Sequence, residues 1–308
     1  MSLFTGVEQA QLTMTQTENF PAFLITLLEQ QADEKSIAWL NQKVEKFKES
    51  GSKTGFFLAF SQASRYFGKD PLQISEQKAH EAEKLSKGFE PSFWNVLQTA
   101  RTYLLLHYPQ QKQVWFDAIN QLFETADMHE HQALFAALPL LPFQEELLSR
   151  AIDGCRTNVA LIFDAIALNN PYPSTYFPEG NWNQMVLKAV FMQRPLYRIQ
   201  NQDSRRNPAL AEIASDFAHE RWAAGRNVMP ELWRLVSPFL NDEFFKDLKK
   251  VMSSADELEK KGGALALYQS DFPPAKGLLA DFPNLIHGIE SKSITWESIG
   301  QEYQQTRL

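Results

Sequence analysis

Apolar residues recur at steps of three and four along most of the chain, the period of a helix with one buried stripe. In the segment opened by Pro91, the residues Phe93, Leu97, Ala100 and Leu104 fall on one such stripe. Val114, Trp115, Ala118, Ile119, Leu122 and Phe123 repeat the pattern in the next segment. Breakers divide the first half evenly: Gly51-Ser52, Gly68 to Pro71, Gly88 to Pro91, Pro109, Pro139 with Pro142, and Asp153-Gly154. The pieces between them run to about 15 to 18 residues, a usual helix length and too long for typical strands. Sustained period-two alternation is absent, so no sheet is predicted. A helix roughly every 19 residues with short connections predicts an all-α chain. The expected architecture is antiparallel helix pairs stacked as an irregular α-solenoid, in the manner of HEAT or TPR superhelices, or a helical bundle. No repeated signature residues support a named repeat class. One domain over 1–308 is expected, with a soft division near 140–155, where LPLLPF and the Asp-Gly pair interrupt the pattern.

Composition narrows the function classes. The chain has 308 residues, 44% hydrophobic and 22% charged, values of an ordinary globular protein. Its 23 Phe, 8 Tyr and 7 Trp provide large anchors for helix packing, while only 13 Gly argue against glycine-rich phosphate loops. The formal net charge of −7, with no basic tract, argues against a nucleic-acid partner. A single cysteine, Cys155, excludes an intrachain disulfide framework and a cysteine-based zinc cluster. The N-terminal MSLFTGVEQAQLTMTQTENF has no basic region followed by an apolar run, and no stretch is apolar over the ~20 residues a bilayer requires, so a cytoplasmic location is expected.

Three successive helices each carry an ionisable group on an apolar face. In VALIFDAIAL, 159–168, nine of ten positions are apolar and Asp164 is the only charge. A buried carboxylate costs several kcal/mol unless it is paired, so Asp164 requires a partner. In WNQMVLKAVFMQ, 182–193, Lys188 is the only charge. Arg221 falls on the stripe of Leu210, Ile213, Ala214 and Phe217, with Asp216, His219 and Glu220 to one side. Two readings stay open: a polar ligand pocket, or a structural network in which Asp164 pairs with Lys188 or Arg221 and fixes helix register. Between the first two helices runs NNPYPSTYFPEGNW, 169–182, where Pro171, Pro173 and Pro178 argue against helix and predict a stiff loop. Asn169, Asn170, Tyr172, Tyr176 and Phe177 would there grip a small ligand or serve as a helix-to-helix clasp.

Other chemistry is excluded by spacing. The His219-Glu220 pair lacks a second histidine four residues after the first, since position 223 is Ala, so no zincin site forms. His129 and His131 point in different directions on a helix, and Asp242 and Asp247 do not make an aspartate-rich Mg²⁺ motif. Gly225 is expected to end one helix and Pro230 to start the next, leaving Arg226 and Arg234 as anion-binding candidates or solvated surface arginines. There is no G-x-S-x-G elbow, Walker A loop or G-x-G-x-x-G turn.

The stretches RTNVALIFDAIALNNPYPSTYF at 156–177, WNQMVLKAVF at 182–191 and AHERWAAGRNVMPELWRLVSPF at 218–239 resemble the EboA family of metabolite-traffic proteins. The resemblance covers roughly residues 150–240. It implies a helical bacterial protein of a secondary-metabolite pathway, with no settled catalytic activity, acting beside pathway proteins that include a prenyltransferase-like membrane protein. Asn158, Asp164, Asn169, Asn170, Tyr172, Trp182, Asn183, Lys188, His219, Glu220, Arg221, Arg226 and Trp233 stand in the matching stretches.

The expectation is therefore a non-enzymatic carrier or adaptor that binds a small metabolite, with no cofactor, metal or catalytic residue. Its ligand-binding set would be Asp164, Asn169, Asn170, Tyr172, Trp182, Asn183, Lys188, His219, Glu220, Arg221 and Arg226. The alternative is a helical scaffold for other proteins of the same pathway. An enzyme using His219 and Glu220 as acid and base is disfavoured, because adjacent helical residues diverge by about 100°.

Overall fold

The computed structural model describes residues 19–307. The reading of the N-terminal stretch falls, apart from its last two residues, outside them. Among the described residues there are eighteen α-helices joined by short 3₁₀ turns, and no strand. Helix, including the 3₁₀ turns, accounts for 72%. Contacts divide the chain into two compact units, one ending at Tyr176 and one starting at Phe177.

The first unit contains α1 (Asn19–Glu29), α2 (Glu34–Ser50), α3 (Lys53–Gln62), α4 (Glu76–Leu85), α5 (Val96–His107), α6 (Lys112–Thr125), α7 (Met128–Ala136), α8 (Leu148–Gly154), α9 (Ala160–Ala167) and α10 (Tyr172–Tyr176). Its centre is α5, buried on every side from Val96 to Leu106 and packed by α1, α2, α3 and α7. A solenoid repeat touches only its sequence neighbours. Here α1 packs on α5 across three intervening helices, so this unit is a bundle around a central helix. The breakers act as expected: Gly51, at φ +61°, ends α2, and Ser52 caps α3 through the Gly55 amide.

Two stripe assignments need correction. Phe93 is 52% exposed, because it lies in a 3₁₀ turn, Pro91–Phe93, ahead of α5. Val114 is also exposed, whereas the other five residues of its stripe are buried. A third correction concerns 169–177, where α10 forms despite the prolines. Pro173 sits in its first turn, where the missing N–H has no helical acceptor to lose.

The second unit contains α11 (Glu179–Phe191), α12 (Pro208–Ala223), α13 (Trp233–Val236), α14 (Asp242–Met252), α15 (Glu257–Tyr268), α16 (Pro273–Leu279), α17 (Pro283–Glu290) and α18 (Trp296–Gln305). Its hub is α15, which packs against α13, α14, α16, α17, α18 and the 3₁₀ turn Pro230–Leu232. That turn is held between α15 and α18 by close backbone approach. A Cβ on Gly262 of α15 would come within 2.6 Å of the Pro230 carbonyl oxygen, so only glycine admits the contact.

Candidate functional site

Most of the polar residues singled out in the sequence bond to protein groups. In the first unit, Asn170 is buried and its amide donates to the Phe135 and Ala165 carbonyls at 3.1 and 2.9 Å. Its oxygen accepts from the Tyr172 amide at 3.0 Å. The Tyr172 hydroxyl donates to the Gln144 carbonyl at 2.6 Å and the Tyr176 hydroxyl to the Gln144 side chain at 2.7 Å. Burial raises the pKa of both phenols, so they remain donors. Asn169 has left-handed φ and donates to Glu90. Asp164 is half-buried on α9 in this same unit.

In the second unit, Asn183 and Asn207 exchange side-chain hydrogen bonds at 3.1 and 2.8 Å, and Asn207 caps α12 by accepting from the Leu210 amide. Trp182 is buried, with the Arg205 guanidinium 4.7 Å from its ring centroid. Lys188 is half-buried near the end of α11, where a cation complements the carbonyl end of the helix dipole. Arg221 donates twice to the Asn227 carbonyl, at 3.0 and 2.9 Å, fastening the turn after α12. Glu220 and Arg226 are exposed. Arg234 pairs in bidentate fashion with Asp203, at 2.7 and 2.9 Å.

His219 is hydrogen-bonded to a carboxylate. Its Nε2 lies 2.7 Å from Asp247, a buried carboxylate on α14 that also accepts from the Ser215 hydroxyl at 2.8 Å. The Ser215 proton therefore points to the carboxylate, not to the imidazole, and the arrangement differs from a serine-histidine relay. Ser215 and His219 are four residues apart and share one face of α12, so the trio ties α12 to α14. Among the described residues no group of three or more His, Cys, Asp or Glu side chains could hold a metal ion.

A cavity that sequence reading missed lies in the first unit. A cleft of about 540 Å³ opens beside Gln31, Asp33, Tyr66, Asp70, Gln73 and Val96. This volume is within the range of small-molecule sites. Three turns build it. Gln31 and Gln73 close one side, with the Gln31 amide donating to the Gln73 carbonyl at 2.9 Å and its oxygen accepting from the Gln73 amide at 2.6 Å. Ser36 donates to the Tyr66 carbonyl at 2.9 Å, and Tyr66 stacks on Trp39 with ring centroids 4.1 Å apart. Backbone bonds from Val96 to Asp70 and from Leu97 to Gly68 join the 68–71 turn to the start of α5. Asp33 caps α2, and the Ser36 amide it accepts holds its carboxyl below the ordinary aspartate range, so it is ionised at neutral pH. The cleft draws on residues from three separated segments and has no contiguous motif.

A family model described as EboA, metabolite traffic protein, matches residues 21–237. The chain belongs to the EboA family. The match extends well beyond the 156–239 stretches and includes every segment that builds the cleft. No curated protein and no solved structure matches the chain. EboA membership fits the all-α fold, and no described helix is long and apolar enough to cross a membrane.

Proposed function

We propose that the protein is a non-enzymatic carrier that takes up a small metabolite in the cleft of its first unit. The observation that carries this reading is the cleft itself: about 540 Å³, walled by aromatic, amide and carboxylate groups, inside the span matched by a metabolite-traffic family. In this reading Asn169, Asn170, Tyr172 and Asn183 are fasteners that hold the helices in place. Asp164, Lys188, His219 and Arg221 are not required to touch the ligand. The alternative of a docking scaffold draws on Phe191, 70% exposed at the end of α11.

The test is native mass spectrometry of the full chain purified from its own host, beside Ala32→Trp, which places a large ring in the cleft. A small molecule that accompanies the natural chain and is lost from Ala32→Trp, with the same circular dichroism, is the expected result. A molecule retained by Ala32→Trp overturns the placement. Recovery of a bound polypeptide and no small molecule overturns the carrier reading in favour of the scaffold.

A further inference from the structure

The turn that carries Glu231 is covered by parts of the chain that are far apart in sequence. Pro230–Leu232 packs against the 3₁₀ turn Leu196–Arg198, α13, α15 and α18. The Glu231 carboxyl is 0% exposed, and its hydrogen bonds come from the Tyr197 and Leu196 amides, at 2.5 and 3.2 Å. Helix α18 passes close over it: a Cβ on Gly300 would lie 2.8 Å from a Glu231 oxygen. Leu196, Tyr197 and Glu231 are inside residues 21–237, the span of the family match, whereas α15 and α18 lie after it.

The charged groups on the surrounding elements are engaged elsewhere. Arg234, the charge of α13, is bonded to Asp203. The 196–198 turn brings Arg198 and the Tyr197 phenol, and α12 brings Arg221, which donates to the Asn227 carbonyl. On α15, Lys260 pairs with Glu257 and Lys261 with Glu302 of α18, while Glu259 accepts from the Val228 amide and the Ser254 hydroxyl. From α18 come Glu297 and Tyr303, and Arg307 just beyond it donates to the Gln193 carbonyl at 3.3 Å. A carboxyl enclosed in this way is stable when neutral. As an anion it has two amides in place of a countercharge and a full shell of water.

An anion here is relieved by admitting water, and the enclosing elements differ in what their movement breaks. Moving the 196–198 turn withdraws both amide donors. Moving α15 disrupts the hub on which α13, α14, α16 and α17 rest. Helix α18 has its main contacts with α15 and the two turns. Its polar ties include Trp296 to Gln269 at 2.9 Å, Gln304 to the Gln193 carbonyl at 3.0 Å, and the Lys261–Glu302 pair. Its start is self-contained, a capping box between Thr295 and Ser298. We propose that α18 is a strap that closes over Glu231 while that carboxyl is neutral and lifts when it ionises, opening the 196–198 and 230–232 turns to solvent.

The experiment is hydrogen exchange of the full chain, followed by mass spectrometry between pH 5.5 and 8.5, with rates divided by those of unstructured peptides at each pH. An opening that frees Glu231 returns the carboxyl to near its ordinary 4.5. The open fraction therefore grows as pH rises from there and levels off above about 8. Protection over Trp296–Gln305 is expected to fall by about tenfold or more across this range, and to stay below that of α14 and α15 throughout. The phenols of Tyr197 and Tyr303 do not contribute, since burial raises both above the ordinary tyrosine value. In Glu231→Gln and Glu231→Met, which have no ionisable group at 231, α18 protection is expected to be the same at both ends of the range. Equal protection of α18, α14 and α15 would mean one global opening and would overturn the proposal. So would α18 protection that is independent of pH in the natural chain, or a pH dependence that persists in either variant.

Discussion

Among the described residues each unit buries one Asp, Glu, Lys or Arg to 1% exposure or less, and the two are stabilised in opposite ways. Arg101, on the central helix of the first unit, is 1% exposed. It donates to the Phe60 carbonyl at 3.1 Å, lies over the Phe60 ring, and faces the Glu130 carboxylate at 3.4 Å. Burial lowers its pKa, but from so high an ordinary value that the guanidinium keeps its charge beside Glu130. Glu231, in the clasped turn of the second unit, is 0% exposed and accepts only backbone amides, from Tyr197 at 2.5 Å and Leu196 at 3.2 Å. Arg234 is next but two along the chain and is bonded to Asp203. Without an ion partner, burial pushes the Glu231 carboxyl up to about 8. Equal burial therefore leaves one group ionised and the other protonated at neutral pH, and the difference lies in what each side chain faces.

The sharpest way to break this contrast is Arg101→Met. It strands the Glu130 carboxylate and the Phe60 carbonyl in a dry core, and on the order of 4 kcal/mol of unfolding free energy should disappear in urea titration. Adding Glu130→Gln should restore part of that loss, because the uncompensated charge goes with it. A loss under about 1 kcal/mol would mean the pair is not closed in solution.

Glu231→Gln tests the other half. A carboxyl whose folded pKa is raised contributes stability that is complete below its unfolded value, near the ordinary 4.5, and is lost as pH rises through about 8. Relative to Glu231→Gln, the natural chain should therefore lose on the order of 3 kcal/mol between pH 4.5 and pH 8. Parallel stability curves for the two proteins over this range would show that Glu231 titrates normally.

The smallest expected effect is at the link between α12 and α14. Asp247→Ala removes the acceptor of Ser215 and His219 and should cost about 1 to 2 kcal/mol. His219→Ala alone should cost less, because His219 is partly solvated.

Arg101 was as visible in the sequence as Lys188. Both stand alone among apolar neighbours, Arg101 in VLQTARTYLLL and Lys188 in WNQMVLKAVF. The stripe through Leu97, Ala100 and Leu104 predicted one buried face, and Arg101, four residues after Leu97 and three before Leu104, lies along the edge of that stripe. What the stripe could not show is that α1, α2, α3 and α7 would surround α5. Glu231 carried a different false signal. An acid just after Pro230 has the pattern of an exposed first helical turn, and it is buried because α15 and α18, far along the chain, close over it.

Helical period, breaker positions and caps are written in residues close together, so the all-α class, the ends marked by Gly51 and Gly225, and membership of the EboA family could be read from the sequence. The ionisation of Arg101 and Glu231, the hydrogen-bond partners of Asn170 and Asn183, and the cleft beside Asp33 and Asp70 were decided only by the tertiary structure. Each depends on which distant groups exclude water and which donors they leave unengaged, and those quantities arise between segments that no local pattern connects.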